Sequence, residues 1–526
     1  MIFRRFIAFP LALALVMAAM VGGCTSENRE RGYLYMRLNN SPTTLDPALI
    51  ASLDDGALAA KLFNGLVRLD RELKVVPDIA ESWEVREHGL VYRFKLRKGV
   101  SFSSGREVRA MDVKYSFERV LDPETRSPNT WVFEKILGAA PYMGGEADEV
   151  AGIHVVDDYT LEVRLSTPFT PFLSLLTVPA AYVVPIEEVL HRGPDFSVNP
   201  VGTGPYVLDE WVPNQYVKLT RRVGYFDQPA RVQGIVYRVV PEDLTAVAEF
   251  ELGNIDVLQI PVSAFLRYRG SERYAGQIST VEALNTYYLG MNCERAPFND
   301  PEVRAAVAQA LDRGRVLDTL YEGRGRIAYG PVPERLRQWN APEPRAYDPD
   351  AARRAIKAKG LAGTTVYLYI TAEQAVVDMA EVMQSYLVDA GLNVELRQLE
   401  WSAFKSAVNS GEADMFWLSW WADYADPENF LYPVFHSANI GPAGNRVRFS
   451  DADVDRLIEA GQHAVDMGQR NEYYRQAEER VMALAAWVPF WHRTDYLIKQ
   501  PWVSRLETYP VYSMDKGTDI MLVRSP

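Results

Sequence analysis

One carboxylate stands out for the company it keeps. Asp423 closes the run Phe416-Trp417-Leu418-Ser419-Trp420-Trp421-Ala422 and is followed by Tyr424, so three tryptophans and a tyrosine surround it in the chain. An anion among large aromatic groups is poorly hydrated and needs a cation. Either the protein supplies that cation or a ligand does, and we read it as a ligand carrying a primary amine. Asp426 stands before Pro427, the pattern of a helix N-cap with proline at the first helical position. Two carboxylates here could instead do hydrolysis, Asp423 working with Asp426 or Glu428 as acid and base in a secreted hydrolase. Other reaction chemistry is scarce. His88, His154, His191, His436, His463 and His492 are scattered, and there is no CxxC, no Gly-x-Ser-x-Gly elbow and no Walker A loop. Gly202-Thr203-Gly204-Pro205 lacks the third glycine of a dinucleotide-binding turn and reads as an ordinary turn. No metal or cofactor is expected.

The elements that hold Asp423 follow from pattern. Residues 416–422 are continuously apolar, as in a strand covered on both faces, and the chain breaks into loop chemistry at Asp423. Open α/β sheets bind ligands at such strand ends. Strand-like runs alternate with amphipathic helices over 303–320, 351–359 and 378–390, giving an α/β class. At 526 residues the chain is too long for one core, so two or three domains are expected. A net charge of −13 argues against binding a phosphate backbone.

The amino terminus carries a second signal. Met1-Ile2-Phe3-Arg4-Arg5 is a basic head, residues 6–21 are apolar, and Val21-Gly22-Gly23-Cys24 closes the segment. Small residues before a cysteine resemble the lipobox of bacterial lipoproteins. The resemblance implies a signal peptide over 1–23 and acyl chains on Cys24, which would anchor the protein to the outer face of a bacterial membrane, in the periplasm or at the cell surface. Cys293 is then alone, so no intramolecular disulfide can form.

The chain as a whole resembles the family 5 extracellular solute-binding proteins, receptors of peptide and nickel ABC importers, with a pattern nearest the oligopeptide- and dipeptide-binding members. The likeness runs through Val155-Val156-Asp157-Asp158-Tyr159-Thr160-Leu161 and Asn199-Pro200-Val201-Gly202-Thr203-Gly204-Pro205-Tyr206. It continues through Ala296-Pro297-Phe298-Asn299-Asp300-Pro301, the 401–430 region and Pro501-Trp502-Val503. It implies a two-lobed, periplasmic-binding-protein-like fold of class II type. Lobe I would comprise 24–74, 200–284 and 498–526, with an inserted subdomain over 75–199 and lobe II over 285–497. Two crossing strands near 284–289 and 496–501 would form the hinge.

The same resemblance implies a monomeric, non-enzymatic receptor that captures short peptides by lobe closure and hands them to a membrane permease. Asp423, in Ala422-Asp423-Tyr424, matches the aspartate that binds a peptide's α-ammonium group. Trp401 and Trp420 match cleft aromatics, and Asn445 a cleft asparagine. Ser419 and Trp421 are expected to pair through the main chain with the ligand from one lobe, and Ile50, Ala51 and Ser52 from the other. Some basic positions of the family are absent: Trp417 and Val408 stand where oligopeptide receptors have basic residues, leaving Arg324 or Arg326 to meet a ligand carboxylate. A same-family receptor for an oligosaccharide, nickel chelate or haem is the alternative.

Overall fold

One sheet of twelve strands runs through the molecule in the computed structural model, which describes residues 29–343 and 345–523. The leader and Cys24 lie outside the described residues. The sheet has two halves. In the first, Tyr33–Leu38 lies beside Gly234–Val239 and touches Val257–Gln259, with Tyr216–Arg221 and Tyr206–Val212 beyond. In the second, Asn285–Met291 lies beside Met415–Trp421, followed by Thr365–Thr371 and Asn393–Leu399. The 13-residue strand Trp487–Lys499 belongs to both: its early part pairs with Asn285–Met291 and its late part with Ile278–Glu282 and Val257–Gln259. The chain therefore crosses from one half to the other twice. It goes out at Ala283, whose N–H donates to the Arg493 carbonyl (2.9 Å), and returns at Arg493. That return crossing falls ahead of the 496–501 segment expected from sequence.

The apolar run of Met415–Trp421 is explained by cover on both faces. Met415 and Trp417 point into a core with Leu289, Phe490 and Trp491, while Phe416 points into another with Phe404, Val408 and Phe435. Helices Pro301–Ala310 and Gln374–Asp389 pack on the first of these faces. Trp401–Ser410, Ala452–His463 and Met467–Ala483 pack on the second. Their ends are written in the sequence. Asp300 caps Pro301–Ala310 by accepting from Glu302 N–H (2.8 Å), and Gly411 ends Trp401–Ser410 with φ of 80°.

The segment between the first strands and residue 200 builds a four-stranded antiparallel sheet: Ala80–Arg86, Val91–Leu96, Thr160–Arg164 and Ile153–Asp157. It is fused to the first half, because Phe94, Phe117 and Leu161 share one core with Leu34, Phe63 and Ile235. The Gly202-Thr203-Gly204-Pro205 turn presses on the end of helix Leu53–Leu62. A Cβ on Gly202 would lie 2.1 Å from the Leu62 carbonyl oxygen, and one on Gly204 2.3 Å from that of Lys61. Those glycines serve close packing. No helix among the described residues is long and apolar enough to cross a membrane.

Candidate functional site

The strand Met415–Trp421 is paired along one side only for much of its length. Toward Asn285–Met291 it is paired throughout, but toward Thr365–Thr371 it is paired only at Met415 and Phe416. The direction of its polar groups follows from two bonds at its ends: Ala422 N–H donates to the Leu284 carbonyl and Asn292 N–H to the Asp414 carbonyl, both at 2.9 Å. Even-numbered residues thus face Asn285–Met291, and the N–H and C=O groups of Ser419 and Trp421 face the open side. An unpaired strand edge in a cleft is a template for one more strand.

Asp423 lies just past the end of that edge. Its main-chain N–H donates to Asn429 Oδ1 (3.0 Å) and its Oδ2 accepts from Asn429 Nδ2 (3.2 Å). No lysine, arginine or histidine among the described residues forms an ion pair with it. Protein surrounds it deeply, yet its side chain keeps an exposed surface, as expected on the floor of an open cleft. Burial raises its carboxyl above the usual range, while the Asn429 bond and the more distant Arg446 charge pull the other way. Because water still reaches the group, that desolvation is partial. From the first half of the molecule Tyr512 approaches, packed over Gly56 of helix Leu53–Leu62. Its hydroxyl is pushed up to about 12 by burial and then by the Asp423 charge.

A cavity of about 490 Å³ adjoins this carboxylate, with Trp131, Glu134, Lys135 and Phe169 on one side and Trp420, Asp423, Tyr424 and Tyr432 on the other. The two sides touch: Trp131 stacks on Tyr424 with ring centres 5.8 Å apart, and Thr170 N–H donates to the Gln462 carbonyl (2.8 Å). Beneath Tyr424, Glu428 is fully buried, bonded by the Tyr424 hydroxyl and by Gln462 Nε2 (2.6 Å). Burial pushes its carboxyl up to about 7. A larger open groove, about 1040 Å³, lies on the inserted sheet around Lys95, Asp158 and Tyr159. There Lys95 is paired with Glu81 (2.6 Å).

The hydrolase alternative loses its second carboxylate. Asp426 caps the short helix Pro427–Phe430 and is paired, buried, with Arg470 (2.5 Å), while Glu428 is held by Tyr424 and Gln462. Asp426 is thereby neutralised within the fold, and Glu428 is spent on bonds to Tyr424 and Gln462.

Of the other sequence-predicted residues, Trp420 lines the cavity, and its Nε1 has no hydrogen-bond partner. Trp421 is half-buried, its Nε1 bonded to Ser419 Oγ (3.1 Å) and its ring under the Arg493 guanidinium. Trp401 begins helix Trp401–Ser410, is 53% exposed and stacks on Phe404, outside the cavity lining.

Two expectations need correction. Asn445 is fully buried: its Nδ2 donates to the carbonyls of His436 and Phe449, and its Oδ1 accepts from Phe449 N–H. Its amide is spent on folding a loop and cannot serve a ligand. In the Ile50-Ala51-Ser52 segment, the Ile50 carbonyl accepts from Asn129 Nδ2 (2.8 Å) and the Ser52 carbonyl from Gly56 N–H (3.1 Å). Ile50 is also buried, and the Ser52 side chain caps helix Leu53–Leu62, which leaves Ala51 as the residue of this trio with both main-chain groups unbonded.

Neither arginine expected to meet a carboxylate is among the residues lining the cavity, and Arg324 Nε and Nη1 are buried without a hydrogen-bond partner. Arg324 is 5% exposed, its Nη2 donating to the Ile260 carbonyl (2.9 Å) and its guanidinium packed over Phe265 and Tyr496. Arg326 is paired with Glu282 and Glu334. Sequence reasoning missed Trp131, Tyr512 and Arg446. Trp131 and Tyr512 reach the site from segments remote in the chain, where no local pattern marks them, and Arg446 directly follows Asn445.

Two lobes joined by a pair of crossing strands, with a guest cavity and an unneutralised carboxylate between them, define a protein of the two-lobed ligand-capturing class. A model of the bacterial extracellular solute-binding proteins, family 5, middle region, matches residues 74–442, and the chain belongs to that family. Among curated relatives, the probable di/tripeptide-binding protein 5 of Pseudomonas aeruginosa is 27% identical over 98% of this chain and 98% of its own. Heme-binding protein A of Haemophilus influenzae is 28% identical over 88% of this chain and 87% of its own. The solved structure of HbpA2 from Haemophilus parasuis superposes with a TM-score of 0.82 at 25% identity, covering 93% of this chain and 99% of that one.

Proposed function

We propose that this protein captures short peptides between its lobes and delivers them to the membrane permease of an ABC importer. The observation that carries this reading is Asp423, an aspartate with no ion-pair partner among the described residues, at the mouth of a cavity and at the end of an unpaired strand edge. A peptide offers what the site lacks: an α-ammonium group for the carboxylate, and main-chain N–H and C=O groups for Ser419 and Trp421. Such β-augmentation reads the backbone and leaves side-chain identity loosely specified. Contacts from both halves, with Trp131 and Tyr512 on one side and Asp423 and Trp420 on the other, favour the closed arrangement when a guest is present. The bound peptide leaves chemically unchanged.

Haem is the rival guest, since one relative is named for it. Asp423 and Glu134 line the cavity against the single lysine Lys135, a balance that disfavours an anionic porphyrin, and no histidine, methionine or cysteine among the described residues lines it. Calorimetric titration of the purified protein with di- and tripeptides and with haem distinguishes the two; saturable haem binding with no peptide binding would overturn the proposal. Anchoring through acylated Cys24 is part of the same reading, supported by the sequence pattern. Cys24→Ser should move the protein from the membrane to the soluble fraction, and unchanged membrane association would reject the anchor.

A further inference from the structure

The chain enters the fold through a clamp. Arg29 Nη2 donates to both oxygens of the fully buried Asp256 (2.7 and 2.6 Å), its Nη1 donates to the Gly253 carbonyl, and its guanidinium lies 4.3 Å from the centre of the Tyr35 ring. Trp502 Nε1 donates to the same carboxylate (2.7 Å), and the Trp502 carbonyl accepts from Val523 N–H (2.9 Å). Residue 29 is therefore fixed, and only residues 25–28 separate it from Cys24. Five residue steps span at most about 18 Å, so an acyl group on Cys24 would hold this face within that distance of a bilayer surface. Around the clamp the surface is both apolar and basic. Leu252, beside the carbonyl that Arg29 grips, is 73% exposed, and Val523 is 66% exposed. Leu522 and Val523 line an open groove of about 780 Å³ with Arg31, Arg231 and Gln233. Arg31 and Arg231 are exposed, and neither pairs with a carboxylate of the described residues. Arg231 Nη1 meets Met521 Sδ (3.3 Å), and Glu30, next to Arg31 in the chain, is held by Lys218 (2.8 Å). In a chain of net charge −13, unmatched arginines and bare aliphatic groups around a lipid tether suit anionic headgroups. The aliphatic groups enter the headgroup layer, and each arginine adds an attraction that salt weakens.

We propose that this face docks on a bilayer of anionic phospholipid through Arg31, Arg231, Leu252 and Val523. The receptor then rests on the membrane through the half of the molecule built around Tyr33–Leu38 and does not swing freely on its tether. This rests on the reading of Cys24 as acylated, which makes the bilayer the neighbour of this face.

The test is arginine footprinting of the full protein, purified from membranes and reconstituted on vesicles. One set of vesicles is phosphatidylcholine alone, and the other is one part phosphatidylglycerol to two parts phosphatidylcholine. Phenylglyoxal labelling under single-hit conditions, read by mass spectrometry, gives a rate at each arginine. On phosphatidylglycerol vesicles at low salt, Arg31 and Arg231 should react at least about fivefold more slowly than on phosphatidylcholine, and about 0.5 M NaCl should restore both rates. Arg456, exposed on helix Ala452–His463 of the other half, should react equally on both. Arg231→Glu, a change at an exposed side chain, should return Arg31 to its phosphatidylcholine rate. Equal rates on the two vesicles, or a slowing at Arg31 that survives Arg231→Glu, overturns the docking face and leaves the anchor standing. Failure of the purified protein to float with either kind of vesicle overturns the anchor, and the docking face with it.

Discussion

Replacing Asp423 by asparagine removes a charge and little else. The aspartate makes one side-chain bond, from Asn429 Nδ2 at 3.2 Å, and an asparagine Oδ1 can accept the same donor. No cation among the described residues is left stranded, because none of them is paired there. The free protein should therefore change by no more than about 0.5 kcal/mol, a melting shift of a degree or two. The bound state should change far more. Closure places an ammonium on this carboxylate in a site walled by Trp131, Trp420 and Tyr424, and truncating one partner of such a desolvated pair costs about 2–5 kcal/mol. That is roughly a thirtyfold to several-thousandfold rise in Kd. Titration calorimetry with trialanine at neutral pH reads the loss, and thermal melts without ligand read the cost to the fold. A Kd within about threefold of wild type would remove Asp423 from the site. A drop of many degrees in the unliganded melt would make it structural.

Asn445→Ala should do the reverse. It strips three hydrogen bonds from buried main-chain groups and should cost about 2–4 kcal/mol of stability, read by chemical denaturation, with peptide Kd unchanged in the folded protein. Lost affinity with normal stability would return Asn445 to the cleft. Glu428 makes stability depend on pH. Its folded-state carboxyl lies at about 7 against an ordinary 4.5, so the fold holds the proton more tightly than the unfolded chain. That contribution is complete below about 4.5 and is lost as pH rises through about 7, on the order of 3 kcal/mol. Glu428→Gln, which cannot ionise, should flatten this part of the melting profile between pH 5 and 8; an unchanged slope would place the dependence elsewhere.

The sequence carried the architecture well because the signals were periodic or local. The apolar and aromatic run 416–421 told of a strand buried on both faces, and the Asp-Pro pair at Asp426 marked a helix start that formed. Asp423 was legible for the same reason, as a charge set against its neighbours. The side-chain environment of the cleft was less so. Asn445 matched a pattern, but whether an amide faces a cavity or its own loop depends on φ and ψ ten residues around it, which composition does not encode. The Ile50 carbonyl is taken by Asn129, nearly eighty residues away, and Arg446 reaches Trp420 only because Asn409 holds it there. Contacts between segments brought together by the fold leave no trace in spacing.

The central claim is that the unpaired carboxylate receives the amino terminus of the guest, and masking that terminus tests it most directly. Trialanine and N-acetyl-trialanine differ in one charge and share every main-chain group that Ser419 and Trp421 can bind. Titrated into wild-type protein, the acetylated peptide should bind at least about a hundredfold more weakly. Equal affinity for the two would mean that Asp423 meets something other than an ammonium group.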